Sequence, residues 1–312
     1  MAIIDTIKEE IHKVVIGQEK LINSLLIGLF SDGHILVESV PGLAKTTVIN
    51  ALSEVVDLTF KRIQFTPDLD PLDIVGREIF TNEGTTSNII KGPIFTNLLL
   101  ADEINRAPEK VQSALLEVMA EQQITIGVHT YKLEPPFLVL ATQNPIENAG
   151  TFNLPEAQLD RFMMKVVIDY NTIEEELEIM ELSNNNFRQN IKKILTLEEL
   201  KRIKQKISLT EIPEEVKKYI LDIVFATRFP ERYNLEVLKP YIKCGASPRA
   251  TIDFYKAIKS YAYLENRSYV TKEDVKNLSK SILSHRIVLS KLAIKKNKTT
   301  ENIINKILET IN

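Results

Sequence analysis

One short stretch near the N-terminus combines the residue types that hold a phosphate group. Residues 38–47 read ESVPGLAKTT, in which Lys45 and Thr46 stand where the pattern G-x-x-x-x-G-K-[ST] places its lysine and its hydroxyl residue. Ser39 and Ala44 occupy the two glycine positions. In such a loop the backbone N–H groups bind the phosphates at the start of a helix, so glycine eases the geometry but is not a ligand. The loop alone fits either a nucleotide site or a turn that caps a helix.

If the loop is a phosphate site, its backbone N–H groups bind the phosphates and two of its side chains take part in the chemistry. Lys45 would reach the β- and γ-phosphates of ATP, and the hydroxyl of Thr46 would bind Mg²⁺. The predicted cofactor-binding residues of the loop are Ser39, Val40, Pro41, Gly42, Leu43, Ala44, Lys45, Thr46 and Thr47. A non-Gly residue in a left-handed conformation costs about 1–2 kcal/mol. If Ser39 carries such strain, Ser39→Gly should leave ATP affinity unchanged or improve it.

A pair of carboxylates follows a second apolar run. Residues 98–107 read LLLADEINRA, which places Asp102 and Glu103 at the end of a buried strand. Ligands of open parallel sheets bind at the carboxyl ends of the strands. There Asp102 could hold the water shell of Mg²⁺, and Glu103 could act as general base toward the attacking water. Alone, such a pair is usually a polar strand end, but one strand and one helix after a phosphate loop it predicts ATP hydrolysis.

Three further polar residues could take part in the same chemistry. Asn144, in LATQNPIE, could orient the water or sense the γ-phosphate, although asparagine also forms turns. Arg161, in PEAQLDRF, could stabilise the charge that develops on a transferred phosphoryl group, or could pair with Asp160 or Glu156. Arg249, in GASPRA, lies in the first turn of a predicted helix, where the helix dipole disfavours a cation. An external anion would explain its position.

The elements that must position these residues alternate between strands and helices. Apolar strands are predicted at residues 34–38, 58–65, 97–101, 137–141 and 164–168, with helices between them such as 45–56 and 109–120. Continuous apolar strands that alternate with helices are typical of a parallel sheet covered on both faces. Two segments, 78–95 with a turn at Gly84 and 123–133 around Gly127, are predicted to be hairpin insertions.

Strand signals end after Tyr170, and the rest of the chain is predicted to be helical. The predicted helices span residues 173–182, 197–207, 214–228, 248–264, 272–284 and 300–311. Ser247 and Thr271 stand at the starts of two of them as capping residues. The predicted fold class is therefore α/β, with a doubly wound parallel sheet and hairpin insertions in residues 1–169. A smaller all-helical domain follows in residues 170–312.

Composition narrows the classes of function. The chain of 312 residues carries a formal net charge of −3 and 44% hydrophobic residues, as an ordinary globular protein does. This charge disfavours nucleic-acid binding through a large basic surface. The single cysteine, Cys244, excludes an intramolecular disulfide. No apolar run approaches the ~18 residues of a membrane span, and the N-terminus does not resemble a signal peptide. We therefore expect a cytoplasmic protein without membrane insertion.

Taken together, these motifs resemble those of the MoxR family of AAA+ ATPases. The segments that carry the resemblance are VIGQ at 15–18, PGLAKT at 41–46, GPIF at 92–95, LLLADEINRAP at 98–108, QSALLE at 112–117, LATQNPIE at 140–147, LPEAQLDRF at 154–162, GASPRA at 245–250 and YVTKEDV at 269–275. Their order and spacing follow the family over nearly the whole chain. Ala44 is what this family ordinarily carries at the second glycine, whereas Ser39 replaces a residue that is usually Gly.

The resemblance implies an AAA+ fold with a lid domain, ATP and Mg²⁺ as cofactors, and a role for each candidate. The implied roles are adenine contact for Ile16 and Gly17, Walker A for Lys45 and Thr46, Walker B for Asp102 and Glu103, sensor 1 for Asn144, arginine finger toward the neighbouring subunit's nucleotide for Arg161, and sensor 2 for Arg249. Gln64, at the end of the second strand, would hold Glu103 inactive. If Arg161 is not the finger, Arg106 is the next candidate.

The resemblance also implies an assembly and a partner. Such proteins typically form homo-oligomeric rings, often hexamers, act as chaperone-like remodellers of a protein substrate, and often work with a partner that carries a von Willebrand factor A domain. The two predicted hairpins match inserts that face a central pore. Two alternatives stay open: a nucleotide-gated assembly module with weak hydrolysis, and a nucleic-acid translocase. The net charge disfavours the translocase, as do hairpins whose basic residues are Lys91, Lys132 and His129 alone.

Overall fold

A computed structural model of the chain describes residues 3–40, 42–80, 87–145, 151–184 and 190–311. Two of the predicted features, Pro41 in the loop and the Gly84 turn, lie outside these residues. The chain forms two compact units. The first comprises Met1–Leu154 and Val166–Lys201, and the second comprises Pro155–Lys165 and Arg202–Asn312.

The core of the first unit is a five-stranded sheet in the order β2-β5-β8-β1-β9. Its strands, numbered in chain order, are β1 Ile35–Glu38, β2 Phe60–Gln64, β5 Leu98–Asp102, β8 Leu138–Gln143 and β9 Met164–Val167. β1 pairs in parallel with β8, β8 with β5, and β5 with β2. The apolar residues of β1, β5 and β8 are buried, as expected for strands covered on both faces. The predicted parallel sheet is confirmed.

Helices cover this sheet. Those of the first unit are α1 Ile3–His12, α2 Glu19–Ser31, α3 Lys45–Val55, α4 Pro71–Val75, α5 Glu109–Glu121 and α7 Ile173–Asn184. In α1, Ile4, Ile7 and Ile11 recur at helical spacing and are fully buried, so one face of the helix packs on the core. In the part of the chain that the structure describes, no helix combines the length and the apolar character that crossing a bilayer requires.

Both predicted insertions form antiparallel hairpins. One consists of β3 Gly76–Phe80 and β4 Ser87–Lys91, and the other of β6 Gln123–Ile126 and β7 His129–Lys132. The second hairpin turns at Gly127, whose φ of 60° suits glycine. A Cβ at Gly127 would lie 2.0 Å from Oε2 of Glu78 in the first hairpin, so the two hairpins meet at this turn.

The second unit is mainly helical. It contains α6 Glu156–Leu159, the end of α8 Leu197–Ser208, α9 Glu214–Arg228, α10 Pro248–Leu264, α11 Lys272–Leu283, α12 Lys291–Lys295 and α13 Thr300–Thr310. Ser247 caps α10 through its hydroxyl, and Thr271 forms a capping box with Asp274 at the start of α11. The difference from the prediction is a short antiparallel pair, β10 Ile242–Cys244 with β11 Val288–Leu289. Strands of two or three residues are too short to show alternation.

The first unit extends past the last strand of the sheet. The N–H groups of Ile194 and Leu195 donate to the carbonyl of Val55 at 2.8 and 3.0 Å, and the N–H of Lys192 donates to Glu10 at 2.9 Å. These bonds hold the segment before α8 against α1 and α3. The division into domains of residues 1–169 and 170–312 stays a prediction.

One buried histidine contributes to the interior of the first unit. The Nδ1 atom of His34 accepts the N–H of Val139 at 3.1 Å, and its Nε2 lies 3.2 Å from the carbonyl oxygen of Met119. The ring also packs edge-on against Phe137. An acceptor Nδ1 and a donor Nε2 describe the neutral imidazole. Burial lowers the pKa of His34 from its ordinary 6.5 to about 4.

This histidine predicts a pH dependence of stability. The unfolded chain binds a proton on His34 below pH 6.5, whereas the folded protein does so only below about 4. The free energy of unfolding should therefore fall as the pH falls between these values, by at most about 3 kcal/mol from this group. Urea unfolding of wild type and His34→Gln between pH 7 and pH 4.5 measures it. The variant should lose less stability over this range, and the exposed His129→Gln serves as control. Parallel curves for all three proteins would contradict the assignment.

Candidate nucleotide-binding site

The predicted phosphate loop connects the middle of the sheet to the start of α3. Gly42 has a φ of 87°, and Ala44, directly before Lys45, has a left-handed conformation with φ 49° and ψ 18°. Ser39 is not among the described residues with a positive φ, and its N–H donates to the carbonyl of Gln143 at 3.1 Å. The idea that Ser39 strains the loop is therefore wrong. The non-Gly residue in the left-handed region is Ala44.

The side chain of Lys45 contacts the loop itself. Its Nζ donates to Oγ of Ser39 at 2.7 Å and to the carbonyl of Val40 at 3.3 Å. Burial lowers the pKa of Lys45, while the nearby carboxylates of Asp102 and Glu103 act in the opposite direction. The ammonium group thus lies within the field of both carboxylates, and its present partners are neutral oxygens of the loop.

The first turn of α3 borders an open space. Thr46 and Thr47 are exposed, whereas Leu43 is buried beneath the loop. A cavity of about 710 Å³ begins at these two threonines and runs along α3, with Val14 and Phe60 among its lining residues. Its size lies in the range of small-molecule sites. The hydroxyl of Thr46 is therefore accessible to a ligand.

Asp102, the last residue of β5, lies between two partners. Its Oδ1 accepts the hydroxyl of Thr142 at 2.6 Å, and its Oδ2 accepts two N–H groups of Arg62, from Nη2 at 2.6 Å and from Nε at 3.2 Å. This carboxylate therefore already binds a cation, which is the property a metal ligand needs. Together with the Thr46 hydroxyl it supplies the hard oxygen donors that Mg²⁺ prefers. The residues present thus fit Mg²⁺.

Glu103, the next residue, is held in a strained conformation. Its φ of 56° and ψ of 49° are left-handed, and its N–H donates to Oγ1 of Thr142 at 2.8 Å. Non-Gly residues in this region concentrate at functional sites. Oε2 of Glu103 accepts the side-chain amide of Gln64 at 2.7 Å and lies 3.0 Å from Nε of Arg106. The expected contact of Gln64 with Glu103 is present, and its inhibitory role stays a prediction.

Asn144 follows β8, the strand that separates β1 from β5. It is buried, and it comes directly after Gln143, whose carbonyl accepts the N–H of Ser39. Since β1, β5 and β8 are parallel, their carboxyl ends meet at one edge of the sheet. The structure therefore brings Asn144 to the same edge as the phosphate loop and the two carboxylates.

The segment predicted to contact adenine is held by Asn171, which lies just before α7. The carbonyl of Ile16 accepts the amide of Asn171 at 3.3 Å, and the amide of Gln18 donates to the same side chain at 2.6 Å. Gly17 has a φ of 66°, and a Cβ there would lie 2.5 Å from Oε1 of Glu175. Glycine is thus favoured at this position by the backbone conformation, and the end of the flexible Glu175 side chain fills the space beside it.

Arg161 and Arg249 both belong to the second unit. Arg249 lies in the first turn of α10, with its Nη1 3.5 Å from Oδ2 of Asp160, the residue before Arg161. The hydroxyl of Ser247, which caps the same helix, donates to both oxygens of Asp160 at 2.9 and 2.8 Å. Arg249 therefore contacts the residue directly before Arg161, the other predicted arginine.

A buried arginine anchors this arrangement. The side chain of Arg286 is fully buried, and it donates to Oδ1 of Asp160 at 3.0 Å and to the carbonyl of Phe162 at 2.8 Å. It also pairs with Asp253, whose pKa is raised by burial although the charge of Arg286 opposes the shift. A buried charge needs such partners. Arg286 thus fixes the backbone on both sides of Arg161.

Sequence reasoning missed Arg62, Thr142 and Arg286. Arg62 precedes Gln64 by two residues on β2, so that both side chains share one face of the strand, and this spacing is a signal that could have pointed to it. Thr142 is a polar residue in an apolar strand, next to the predicted Asn144. For Arg286 no local signal exists, because its partners lie far away in the sequence.

Comparison with known proteins covers both units. A model of the ATPase family associated with various cellular activities (AAA) matches residues 34–164, which contain the phosphate loop and both carboxylates. A model of the AAA lid domain matches residues 236–307, which contain Arg249. The predicted AAA+ fold with a helical lid is therefore confirmed.

Individual relatives span nearly the whole chain. Chaperone MoxR1 of Mycobacterium tuberculosis is 42% identical over 97% of this chain and 80% of its own length. The uncharacterized protein YeaC of Bacillus subtilis is 37% identical over 97% of this chain and 92% of its own. A crystal structure of a candidate ATPase from Cytophaga hutchinsonii superposes with a TM-score of 0.94 at 50% identity, over 99% of this chain and 94% of its own. The resemblance seen in the motifs is confirmed, and this chain belongs to the MoxR family of AAA+ ATPases.

Proposed function

We propose that this protein hydrolyses ATP in a homo-oligomeric ring and uses the energy to remodel a protein substrate. The observation that carries the proposal is the placement of Lys45, Asp102 and Glu103 at one edge of the sheet, beside an exposed Thr46. β1, which leads into the loop before Lys45, and β5, which ends at Asp102, both pair in parallel with β8, so their carboxyl ends share that edge. A phosphate-binding lysine, a metal-binding carboxylate and a base are the parts that ATP hydrolysis requires.

Each side chain has a distinct task in this scheme. Lys45 leaves Ser39 and Val40 and binds the phosphates, where its positive charge stabilises the transition state. Thr46 and Asp102 hold Mg²⁺, which when bound neutralises phosphate charge. Glu103 orients the attacking water and accepts its proton. Asn144, at the same edge, can hydrogen-bond that water or the γ-phosphate.

Glu103 must change partners before it can act as a base. In the structure its Oε2 accepts the side-chain amide of Gln64 and lies 3.0 Å from Nε of Arg106, so this oxygen is not turned toward a water at the nucleotide. A rotation of the side chain away from Gln64 toward the nucleotide would release it. The observed contacts therefore describe a resting state of the base.

The proposal also includes an oligomeric ring, an arginine finger and a contact from the lid domain to the nucleotide. Arg161 acts on the nucleotide of the neighbouring subunit, and Arg249 binds the phosphates from the lid. The support is the family membership, the name Chaperone MoxR1 of a relative, and the contact of Arg249 with Asp160, the residue directly before Arg161. A hexamer, a substrate delivered by a von Willebrand factor A domain protein, and a cytoplasmic location belong to the same proposal.

A second candidate function, a nucleotide-gated assembly module with weak hydrolysis, has one observation in its favour. The same engagement of Glu103 by Gln64 and Arg106 would suppress hydrolysis if nucleotide binding did not relieve it. Measured turnover decides between the two. The nucleic-acid translocase gains no support, because Lys91 lies over the rings of Phe95 and Tyr131 and so is engaged within the hairpins.

The first prediction for the site concerns the base and the phosphate contact. Glu103→Gln should bind ATP but lose hydrolysis, since the amide keeps the shape and cannot accept the proton. Lys45→Ala should lose ATP binding, seen as a missing rise in melting temperature with ATP; saturating ligand at 100 times Kd stabilises by about 2.7 kcal/mol. Calorimetric binding and phosphate release measure the two effects. Near-normal turnover in Glu103→Gln would show that Glu103 is not the general base. A full thermal shift in Lys45→Ala would show that the loop is not a phosphate site.

The second prediction concerns Ser39, whose hydroxyl binds Lys45. Removing this hydrogen bond should free the ammonium for the phosphates and raise ATP affinity about twofold to tenfold. Ser39→Ala and Ser39→Gly should do so equally, because the bond and not the backbone conformation is what changes. Equilibrium binding of ATP to both variants measures it. An increase in Ser39→Gly alone would mean that backbone freedom matters after all, and a loss in both would mean that the hydroxyl helps to bind ATP.

The third prediction tests the ring. If Arg161 acts in trans, Arg161→Ala should lose hydrolysis by about 10³–10⁵ while each subunit still binds ATP. Mixing Arg161→Ala with Glu103→Gln should restore part of the activity, because some interfaces then join an intact base to an intact arginine. Phosphate release against mixing ratio measures this, with size-exclusion chromatography to establish co-assembly. No recovery in rings that do co-assemble would mean that Arg161 acts in cis or is structural, and Arg106 would be tested next.

A further inference from the structure

Arg62 connects the two carboxylates of the site. Two of its N–H groups donate to Oδ2 of Asp102, and its Nη2 also donates to the side-chain oxygen of Gln64 at 2.7 Å. The amide nitrogen of Gln64 then donates to Oε2 of Glu103 at 2.7 Å. A continuous path of hydrogen bonds thus runs from Asp102 through Arg62 and Gln64 to Glu103.

We propose that Arg62 is a built-in counter-ion of Asp102, which Mg²⁺ displaces when it arrives with ATP, and that this displacement releases Glu103 from Gln64. The inference rests on the proposed function and deepens it. It assigns a positioning role to a residue of β2 that lies outside the phosphate loop and the carboxylate pair. Metal binding and activation of the base become one event.

Competition between Arg62 and Mg²⁺ follows from the oxygens available. Oδ1 of Asp102 is occupied by the hydroxyl of Thr142, and Oδ2 by two N–H groups of Arg62. Mg²⁺ demands near-ideal octahedral geometry, and it reaches a carboxylate either directly or through a bound water that needs an acceptor. A guanidinium on the same oxygen removes that acceptor, and it also repels a divalent cation.

Displacement of Arg62 is feasible because this side chain is half exposed. The Arg62 side chain has 47% of its surface accessible, whereas Asp102 has 13%. An exposed guanidinium regains water when it leaves its partner, so the pair is weak compared with a buried one. Mg²⁺ therefore has to overcome only a modest interaction, and the displaced Arg62 side chain can move into solvent.

The link to Glu103 goes through the orientation of an amide. The bond from Arg62 fixes which end of the Gln64 side chain is the oxygen, and this turns the amide nitrogen toward Glu103. When Arg62 leaves, the amide loses the partner that holds this orientation. Gln64 can then rotate, and Glu103 is free to turn to the water.

The experiment measures the Mg²⁺ requirement of ATP binding. A fluorescent ATP analogue is titrated into wild type, Arg62→Gln, Arg62→Lys and the control Lys61→Gln, the neighbouring basic residue of β2, at a series of Mg²⁺ concentrations and with chelator. In Arg62→Gln the half-saturating Mg²⁺ concentration should fall about threefold to tenfold, because no internal cation competes. Without metal its nucleotide affinity should fall, because Asp102 is then unscreened. The half-saturating Mg²⁺ concentration of Arg62→Lys should lie between those of wild type and Arg62→Gln, and that of Lys61→Gln should match wild type.

A second measurement tests the path to Glu103. The half-saturating Mg²⁺ concentration for ATP binding is compared in Arg62→Gln, Gln64→Ala and the double variant. Because the Gln64 side chain also holds Arg62 in place, Gln64→Ala should lower this concentration too. If both residues act along one path, the double variant should match Arg62→Gln and not show the product of the two effects. Effects that multiply would contradict the proposed link between Arg62 and Gln64, even if Arg62 does compete with Mg²⁺.

The outcomes separate this inference from the proposed function. Failure of wild type to bind the nucleotide at any Mg²⁺ concentration would contradict the proposed function itself. Normal binding by wild type, with an unchanged Mg²⁺ requirement in a folded Arg62→Gln, would contradict only the role of Arg62. If Arg62→Lys is needed because Arg62→Gln melts early, it decides the question. Lysine keeps the charge but lacks the planar guanidinium that donates twice to Asp102 and once to Gln64, so an unchanged requirement there is equally contradictory.

Discussion

Burial of three parallel strands on both faces is the constraint on which the rest of the structure depends. β1, β8 and β5 pair in register, so that Leu36 lies opposite Ala141 and Leu100 opposite Leu140. A strand covered on both faces accommodates charged side chains only at its ends. Because the strands are parallel, those ends share one edge of the sheet. The positions of Lys45, Asp102, Glu103 and Asn144 follow from that geometry.

At this edge the polar groups are satisfied by one another. The Lys45 ammonium binds Ser39, Asp102 binds Arg62, and Glu103 binds Gln64, all at 2.6–2.7 Å. A charge that is partly removed from water needs partners of this kind. Binding of a nucleotide is therefore an exchange of internal partners for phosphate and metal. An affinity measured for this protein contains the free energy of the bonds it gives up.

Much of the fold could be predicted because its signals are local. The helices Glu214–Arg228 and Pro248–Leu264 begin and end where the sequence predicted, since periodic apolar residues and a capping Ser247 define them. The left-handed conformations of Ala44 and Glu103 left no such signal, because tertiary packing imposes them. The strain was therefore expected at the wrong residue of the loop.

In the candidate site, too, some residues could be predicted from the sequence and others could not. Lys45, Asp102 and Glu103 could be predicted, because loop and strand ends carry them at a recognisable spacing, although their roles stay predictions. The hydrogen-bond partners of these residues could not be predicted. Arg62 lies 40 residues from Asp102, and such pairings exist only once the sheet has formed. Sequence motifs thus indicate which groups could react and say little about what holds them at rest.

The burial of Arg286 has a consequence for how variation in this chain is interpreted. Its guanidinium binds Asp160 and the carbonyl of Phe162, on either side of Arg161, and Asp160 also contacts Arg249. Arg286 thus holds the two residues that flank Arg161, and the first of them also contacts Arg249. In a genetic screen, an allele that removes Arg286 would disturb the backbone on both sides of Arg161, although the Arg286 side chain is fully shielded from solvent. Scoring alleles by solvent exposure would overlook it.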